Sequence, residues 1–519
     1  MFMRDQFLTK KPITWTIAGS DSGGGAGIQA DLLTFADFDC HGCSAITANT
    51  AQNTVEVTAI NAVSLEVLDS QLQTLQRDLF PAAIKIGLLA NTGQVLLVAN
   101  FLRKLKTIQP VPVIYDPVAI ATSGAGLTED DITAEVLAQL LPQCDLVTPN
   151  LHELEWLTRA STGDAKSILE AARQLHALAG TAVLVTGGHT QLRPGEVSDL
   201  FWDGEKADWF IGRQVPGNNS HGTGCTLSSA IAACCALGYP MRDACVVGKA
   251  YVQRGLRLGE NSHIGVGASP VGHCGWPLDL ADFPEILVAG EERAQDYGLS
   301  STQPFVQGFA ATDSQALGLY PVVDTVEWLQ RLAEQGVRTL QLRIKTPGED
   351  LREQIKRAVA IGRTYNLRLF INDYWQLAIE CGAYGVHLGQ EDLQEADLAA
   401  IQSAGLKLGI STHGFFELLL AYRYRPSYLA IGAIYPTNTK DMSDQLQGVE
   451  KLTRMAALLP NYPLVAIGGI NQQCAPEIIA TGVGSIAVVS AITKAENYKR
   501  AVAEFNALLE DKGTEVEPC

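Results

Sequence analysis

Between Leu319 and Leu508 the chain alternates short apolar runs with amphipathic stretches, and it does so eight times. The runs are Leu319–Val323, Thr339–Arg343, Arg368–Ile371, Tyr384–Leu388, Lys407–Ile410, Tyr428–Gly432, Leu464–Ile467 and Ser485–Val489. The stretches that follow them read as helices: Val326–Gln335, Leu351–Tyr365, Trp375–Cys381, Leu393–Ala404, Phe415–Arg423, Gly448–Leu459, Gln473–Thr481 and Ala495–Leu508. Eight strand–helix repeats predict a (βα)8 TIM barrel, a fold that carries its chemistry at the carboxyl ends of its strands.

The polar residues of this half fall at those ends. Gln341, Arg343 and Lys345 are spaced by two, which places all three on one face of an extended chain. Two inward cations make little sense in a packed interior unless an anion neutralises them. Asp373 and Asp392 supply carboxylates, so the anion is expected to be bound to a metal. Thr437, Thr439 and Lys440 add donors. Gly468-Gly469 and the end of the eighth strand at Ser490 form a phosphate cradle of the kind barrels build there. The set implies a metal-chelated diphosphate and a separate phosphate.

The segments Gln341-Leu342-Arg343-Ile344-Lys345, Asn372-Asp373, Gly385-Val386-His387-Leu388-Gly389-Gln390-Glu391-Asp392 and Pro436-Thr437-Asn438-Thr439-Lys440 resemble thiamine-phosphate synthase over about Leu317 to Leu509. The resemblance implies coupling of a pyrimidine diphosphate to thiazole phosphate with release of pyrophosphate. It implies that Asp373 and Asp392 hold Mg2+. Gln341, Arg343, Lys345, Asn372, Ser411 and Lys440 would bind the diphosphate, and Thr437, Thr439, Gly469 and Ser490 the thiazole phosphate.

The first half is also an α/β pattern. Ile13–Ala18 reads as a buried strand that runs through a glycine-rich turn, Gly19–Gly27, into a helix from about Ile28. Further strands are expected at Ser44–Ala48, Ala82–Ile86, Val111–Tyr115, Asp145–Thr148 and Ala182–Thr186, which implies a mostly parallel sheet. Lys85, Asp116, Asn150, Glu153, Thr186 and His189 sit at strand ends, where such sheets bind ligands. The stretch Asn218–Thr226 opens directly into an apolar helix. Its Gly222, Thr223, Gly224 and Cys225 suit an anion: glycines admit close approach, and the helix adds the positive end of its dipole. Asp116, Asn150 and Glu153 offer oxygens for hydrated Mg2+. One anion loop with these oxygens points to phosphoryl transfer.

Other chemistries fit less well. Gly25, Gly27 and Ala30 match a dinucleotide-binding pattern, but Asn49–Asn53 stands where its acidic residue is required, which argues against a nicotinamide cofactor. No phosphate-binding loop of the G-x-x-x-x-G-K-[ST] type occurs. Cys40-His41-Gly42-Cys43 lacks partners for zinc or redox chemistry and reads as structural.

Ala18–Asp31, Thr50–Thr54, Asp116-Pro117-Val118 and Gly222–Cys225 resemble hydroxymethylpyrimidine/phosphomethylpyrimidine kinase over roughly Pro12 to Trp276. The resemblance implies a ribokinase-like fold, ATP as co-substrate with Mg2+, and two successive phosphorylations of 4-amino-5-hydroxymethyl-2-methylpyrimidine. It implies that Gly19, Asp31 and Gln52 line the pyrimidine site, that Gly222 to Cys225 form the anion hole, and that Asp116, Asn150, Glu153 and Thr186 serve ATP and Mg2+. Cys225 stands where related sugar kinases carry an aspartate base. A thiol at a helix N-terminus can have a lowered pKa, so Cys225 is expected to deprotonate or position the substrate hydroxyl. Thr186 is a departure, since lysine is expected before Gly187-Gly188-His189. The alternative is a pyridoxal-type kinase fused to a non-catalytic or sensor barrel; Gln52 and Cys225 favour the pyrimidine.

A length of 519 residues exceeds one ordinary domain. The expected division is a kinase domain over 12–276, a linker over 277–316 with one short helix at Phe283–Tyr297, and a barrel over 317–510. A net charge of −18 argues against a general nucleic-acid or anionic-membrane binder and leaves small molecules as the expected partners. A homo-oligomer is the expected assembly. Eleven cysteines without a framework suggest reduced thiols and a cytoplasmic setting. Met1–Lys11 lacks the apolar core of a signal peptide, and no run of about 20 apolar residues would span a membrane.

Overall fold

The computed structural model describes residues 11–118, 128, 131–188, 192–437 and 446–510. The chain divides into two compact units. One runs to Leu287 and takes in Glu292–Ser300; the other comprises Val288–Glu291 and the chain from Ser301 onward.

The first unit is built on a ten-stranded sheet. Its strands are β1 (Ile13–Asp21), β2 (His41–Gln52), β3 (Val57–Ala62), β4 (Ala83–Ile86), β5 (Val113–Tyr115), β6 (Leu146–Val147), β7 (Ala182–Val185), β8 (Glu196–Trp202), β9 (Ala207–Arg213) and β10 (Glu285–Ile286). Their order is β10-β9-β8-β7-β6-β5-β4-β1-β2-β3. The strands β2, β1, β4, β5, β6 and β7 run parallel, and β3 and β8 to β10 are antiparallel additions. The central parallel strands β4 and β5 are buried on both faces, which is why they read as continuous runs of few polar residues. The sequence reading did not foresee β3, β8, β9 and β10, because it followed strand–helix alternation, whereas β3, β8 and β9 each follow the preceding strand with no helix between, and β10 is only two residues long.

Chain order reverses beside β1, which lies between β2 and β4. Open α/β sheets bind ligands at such a reversal, beyond the carboxyl ends of the strands. The helix Thr223–Ala236 packs against β1, β4 and β5 and brings its N-terminus to that end.

Part of the linker expected over 277–316 packs on the first unit. Instead of one helix over Phe283–Tyr297, the chain forms β10, which pairs with β9, and a 3-10 helix at Glu292–Tyr297. Tyr297 is buried against the ring of Trp209 and lies 2.8 Å from Ser198 Oγ. Val288–Glu291 belongs with the second unit, where Glu291 pairs with Arg423 at 2.8 Å.

The second unit is a closed eight-stranded parallel barrel, a TIM barrel. Its strands are β11 (Gly318–Val323), β12 (Thr339–Leu342), β13 (Arg368–Asn372), β14 (Gly385–Leu388), β15 (Lys407–Thr412), β16 (Tyr428–Ile431), β17 (Leu464–Ile467) and β18 (Ser485–Val488). Pairing of Gly318 with Ser485 closes the ring. The helix expected at Leu393–Ala404 is two, Gln390–Glu395 and Leu398–Ser403, because Asp397 caps the second by accepting from Ala400 N–H at 2.9 Å. Below the strand ends the barrel is filled by rings. Phe370 meets Tyr428 at 5.0 Å and Tyr320 at 5.9 Å between centroids. Gly409 makes this possible, since a Cβ there would lie 2.2 Å from the Tyr428 ring.

Candidate functional site

A large cavity lies at the carboxyl ends of the parallel strands in each unit. The cavity of the first unit measures about 1150 Å³ and is lined by Gly19, Gln52, Lys85, Asp116, Asn150, Glu153, Thr186 and Gly222 to Cys225, among others.

Two backbone turns cross at its rim. Gly19 sits where the register of β1 on β2 shifts, so the chain leaves the sheet there. Asp21 then organises the glycine-rich turn. Its carboxylate accepts from the N–H groups of Gly23 (2.8 Å), Gly25 (3.1 Å) and Ala26 (2.9 Å), and His221 Nε2 lies 3.2 Å away. His221 also approaches the Gln52 amide nitrogen at 3.4 Å. Gly222 precedes the helix with φ of 77°, and a Cβ there would fall 1.9 Å from Gly25 O. The first N–H groups of the helix that follows have no intrahelical acceptor, which makes this end a place for an anion.

Under the turns lies a buried ionic cluster. Lys85 Nζ is 3.0 Å from both Asp31 oxygens and 4.0 Å from Asp116 Oδ2. Burial works against the lysine's charge, but Asp31 and Asp116 outweigh it and hold its pKa above the usual value. Asp31 is a correction. It does not line the cavity; it is fully buried and accepts from Thr16 Oγ1 and Ser229 Oγ at 2.6 Å as well as from Lys85. Its place is behind Lys85, on the inner face of the helix Gly27–Asp37.

Asp116 and Glu153 fit a divalent cation. Burial, with Asp31 adding to it, pushes Asp116 up to about 6 against the pull of Lys85. Burial and then Asp116 push Glu153 up to about 8. Asp116 Oδ2 is buried with no hydrogen-bond partner. Two crowded carboxylates with an orphaned oxygen are a donor set for Mg2+ completed by phosphate and water. Asn150 and Glu153 also cap the helix Leu151–Thr158 reciprocally, which fixes the Glu153 side chain at the rim.

Cys225 is the second correction. It is half-buried and opens on the cavity, but its pKa is not lowered. Burial pushes the thiol up to about 12, and Asp116 and Asp31 add to that against Lys85. It is therefore a thiol at neutral pH. Alkylation of Cys225, followed by peptide mass spectrometry, should speed up about tenfold per pH unit through pH 10 without levelling. A plateau below pH 8 would restore the thiolate.

Asp21 and His221 were not singled out as site residues from sequence, and Lys85 was named there as a strand-end residue without a role. Lys85 carried a signal: it is the one charge in the otherwise apolar β4. Lys249, paired with Asp199 at the end of the cavity near Thr186, carried none, because its partner lies on another element.

The cavity of the second unit measures about 630 Å³ and is lined by Gln341, Arg343, Asn372, Asp373, Asp392, Ser411, Thr437, Gly469 and Ser490, among others. Gln341 Nε2 donates to Asn372 Oδ1 at 2.6 Å, and Asn372 Nδ2 donates to Asp373. Burial and the neighbouring Asp392 push Asp373 up to about 6, against Arg343. These two carboxylates suit Mg2+, which takes one or two carboxylates plus phosphate oxygens. Gly468 and Gly469 both have positive φ, and a Cβ on Gly469 would crowd Pro436 O at 2.7 Å. Lys345 departs from the expected alternation. β12 ends at Leu342, so the period of two is lost, and Lys345 is exposed and absent from the cavity lining. Thr439 and Lys440, like His189, lie outside the described residues.

Among the described residues no three His, Cys, Asp or Glu side chains cluster to hold a metal unaided, and no helix is long and apolar enough to cross a membrane.

Two family models match the chain. Phosphomethylpyrimidine kinase matches residues 21–272, and thiamine monophosphate synthase matches residues 312–492. The thiamine-phosphate synthase of Yersinia pestis (strain Pestoides F) is 57% identical over 206 residues, 40% of this chain and 95% of that protein. That of Citrobacter koseri is 58% identical over 193 residues, 37% of this chain and 92% of its own length. Among solved structures, a phosphomethylpyrimidine kinase from Clostridium difficile 630 is 34% identical with a TM-score of 0.41, covering 47% of this chain and 99% of that one. A pyridoxal kinase from Staphylococcus aureus is 26% identical with a TM-score of 0.46, covering 51% and 94%.

Proposed function

The chain belongs to the phosphomethylpyrimidine kinase family through its first half and to the thiamine-phosphate synthase family through its second, and from that premise we propose how each cavity performs its step. It is a bifunctional enzyme of thiamine biosynthesis. The kinase, assigned to residues 12–276, uses ATP to convert the hydroxymethylpyrimidine to its diphosphate. The synthase, assigned to residues 317–510, couples that diphosphate to thiazole phosphate and releases pyrophosphate.

In the kinase the pyrimidine lies between Gly19 and Gln52, whose amide can pair with a heterocycle edge. Gly222 to Cys225 receive the transferring phosphoryl group on backbone N–H groups. Lys85 holds positive charge beneath it because Asp31 holds Lys85. Asp116 and Glu153 would hold Mg2+, which when bound neutralises phosphate charge. Asn150 and Thr186 line the ATP end. Cys225, as a thiol, positions the substrate hydroxyl and does not abstract its proton. A largely dissociative phosphoryl transfer asks little of a base.

In the synthase Arg343, Gln341, Asn372 and Ser411, with Lys440, bind the diphosphate. Asp373 and Asp392 would hold Mg2+, which when bound draws off charge from the leaving pyrophosphate. Thr437, Thr439, Gly469 and Ser490 take the thiazole phosphate. The aminopyrimidine can spread positive charge from its exocyclic carbon, so the residues serve mainly the departing negative charge. An electron-withdrawing substituent on the pyrimidine should slow the reaction; an unchanged rate would argue against a cationic transition state.

The observation that carries this reading is the convergence of Asp373 and Asp392 with Arg343 on one barrel cavity. The assay supplies purified protein with pyrimidine alcohol, ATP, Mg2+ and thiazole phosphate and scores thiamine phosphate. The two sites are expected to act independently, since a released metabolite diffuses away faster than a typical turnover of about 10 per second. Full-length Gly222→Val and full-length Asp373→Ala should each be inactive in the coupled assay, and mixing them should restore product. Failure of the mixture to make product, with each remaining activity intact, would show that the intermediate is not shared through solution.

A further inference from the structure

A buried file of hydrogen bonds runs through the barrel and ends at the cavity. Tyr320 Oη and Tyr428 Oη are 2.7 Å apart. Tyr428 Oη is 2.7 Å from His387 Nδ1, and His387 Nε2 is 2.8 Å from Ser411 Oγ. These residues come from β11, β16, β14 and β15. Tyr320, Tyr428 and His387 are buried, and Ser411, with His387, lines the cavity.

The direction of the file can be decided. Each tyrosine and the serine has one hydroxyl proton, and neutral imidazole has one N–H. His387 is buried, and both of its ring nitrogens face neutral hydroxyls and not a carboxylate, so the ring is neutral. Three arrangements satisfy the three contacts, and the one in which Nδ1–H and Tyr320 both donate to Tyr428 leaves the buried Tyr428 proton without an acceptor. Two remain. In one, Ser411 donates to Nε2, Nδ1–H donates to Tyr428, and Tyr428 donates to Tyr320. The Tyr320 proton then has no acceptor, since Tyr428 is its only hydrogen-bond partner among the described residues. A buried donor without a partner carries its full desolvation penalty. In the other, Tyr320 donates to Tyr428, Tyr428 donates to Nδ1, and Nε2–H donates to Ser411 Oγ. Every buried donor is then satisfied, and the Ser411 proton is left to point into the cavity.

We propose that Tyr428 and His387 are positioning residues of the synthase, which lock the Nε2–H tautomer of His387 and so make Ser411 a one-way hydrogen-bond donor to the anionic substrate. This rests on the synthase reading of the cavity. The file matters because a serine hydroxyl can otherwise rotate and present a lone pair, which repels a diphosphate oxygen. With Nε2–H occupying the acceptor side, Ser411 faces the cavity with its proton already oriented. That orientation costs nothing further when negative charge develops on the leaving group, and preorganised donors are the effective kind.

Two measurements test it. Nitrogen-15 spectra of the full-length protein, with His387 identified by comparison with His387→Gln, should show a neutral ring protonated on Nε2. Nδ1 protonation would overturn the proposal. Tyr428→Phe should lower synthase kcat/KM by about tenfold in the wild-type background and by less than about twofold in Ser411→Ala, because the effect passes through Ser411. An equal loss in both backgrounds would mean a merely structural role. Kinase turnover and the melting of the first unit, unchanged in each variant, report that the chain is intact. A wild-type protein that makes no thiamine phosphate would sink the synthase reading, and the nitrogen-15 result would still decide the tautomer.

Discussion

Asp373→Ala is expected to reduce synthase turnover by about a thousandfold and to leave kinase turnover within about twofold of wild type. The size follows from what the carboxylate does. It shares one end of the cavity with Asp392, and the two crowd each other enough, together with burial, to push Asp373 up to about 6. Such a pair is costly to maintain unless a cation completes it. Removing one carboxylate relieves the repulsion, so the folded barrel should be no less stable, while the departing pyrophosphate loses its counter-charge. The expected signature is therefore a large fall in kcat with an unchanged or raised melting temperature. Asp373→Asn, which keeps the hydrogen bond to Asn372 in shape but not the charge, should resemble alanine. A loss of less than about tenfold would mean that Asp373 is not the metal ligand. The kinase is spared because no residue of the first cavity belongs to the barrel.

Lys85→Met should have the largest effect on stability, about 3–5 kcal/mol, seen in the first unit's unfolding. The lysine is fully buried with Asp31, and Asp116 is 4.0 Å away. Deleting it leaves two buried carboxylates without their cation, and one of them already has an oxygen without a partner. Adding Asp31→Asn to Lys85→Met should recover much of the stability, since the amide oxygen can accept from one of Thr16 and Ser229 while its NH2 donates to the other hydroxyl. It should not recover phosphoryl transfer, because positive charge beneath the phosphoryl position is still missing. If Lys85→Met alone unfolds at the wild-type temperature, the cluster is better solvated than its geometry indicates. If the double variant recovers activity along with stability, Lys85 is structural only.

The architecture was legible in the chain to different depths in its two halves. In the barrel, every strand lay where an apolar run lay, because a strand buried on both faces must be apolar throughout and a helix must follow to cover it. In the first unit the parallel strands were legible for the same reason. The hairpin β8–β9 and the edge strands β3 and β10 were not, since antiparallel additions leave no strand–helix rhythm.

The cavity linings show where local pattern stops. Gln341 and Arg343 share the cavity, but Lys345 does not, because the alternation holds only while the chain is extended and β12 ends at Leu342. Asp31 follows its motif in sequence, yet the helix that carries it turns it inward to Lys85, one layer behind the cavity wall. Cys225 stands at a helix N-terminus, which favours a thiolate, but burial beside Asp116 and Asp31 outweighs the dipole and keeps the proton on sulfur. The file from Tyr320 to Ser411 had no signature at all, because its four members come from four strands. Side-chain period and glycine placement act within a few residues along the chain, and they determined the strands, the turns and the ends at which chemistry gathers. Ionisation, pairing and the direction of a hydrogen bond depend on what other elements bring within about 4 Å in a medium of low dielectric, and only the folded barrel and sheet decided those.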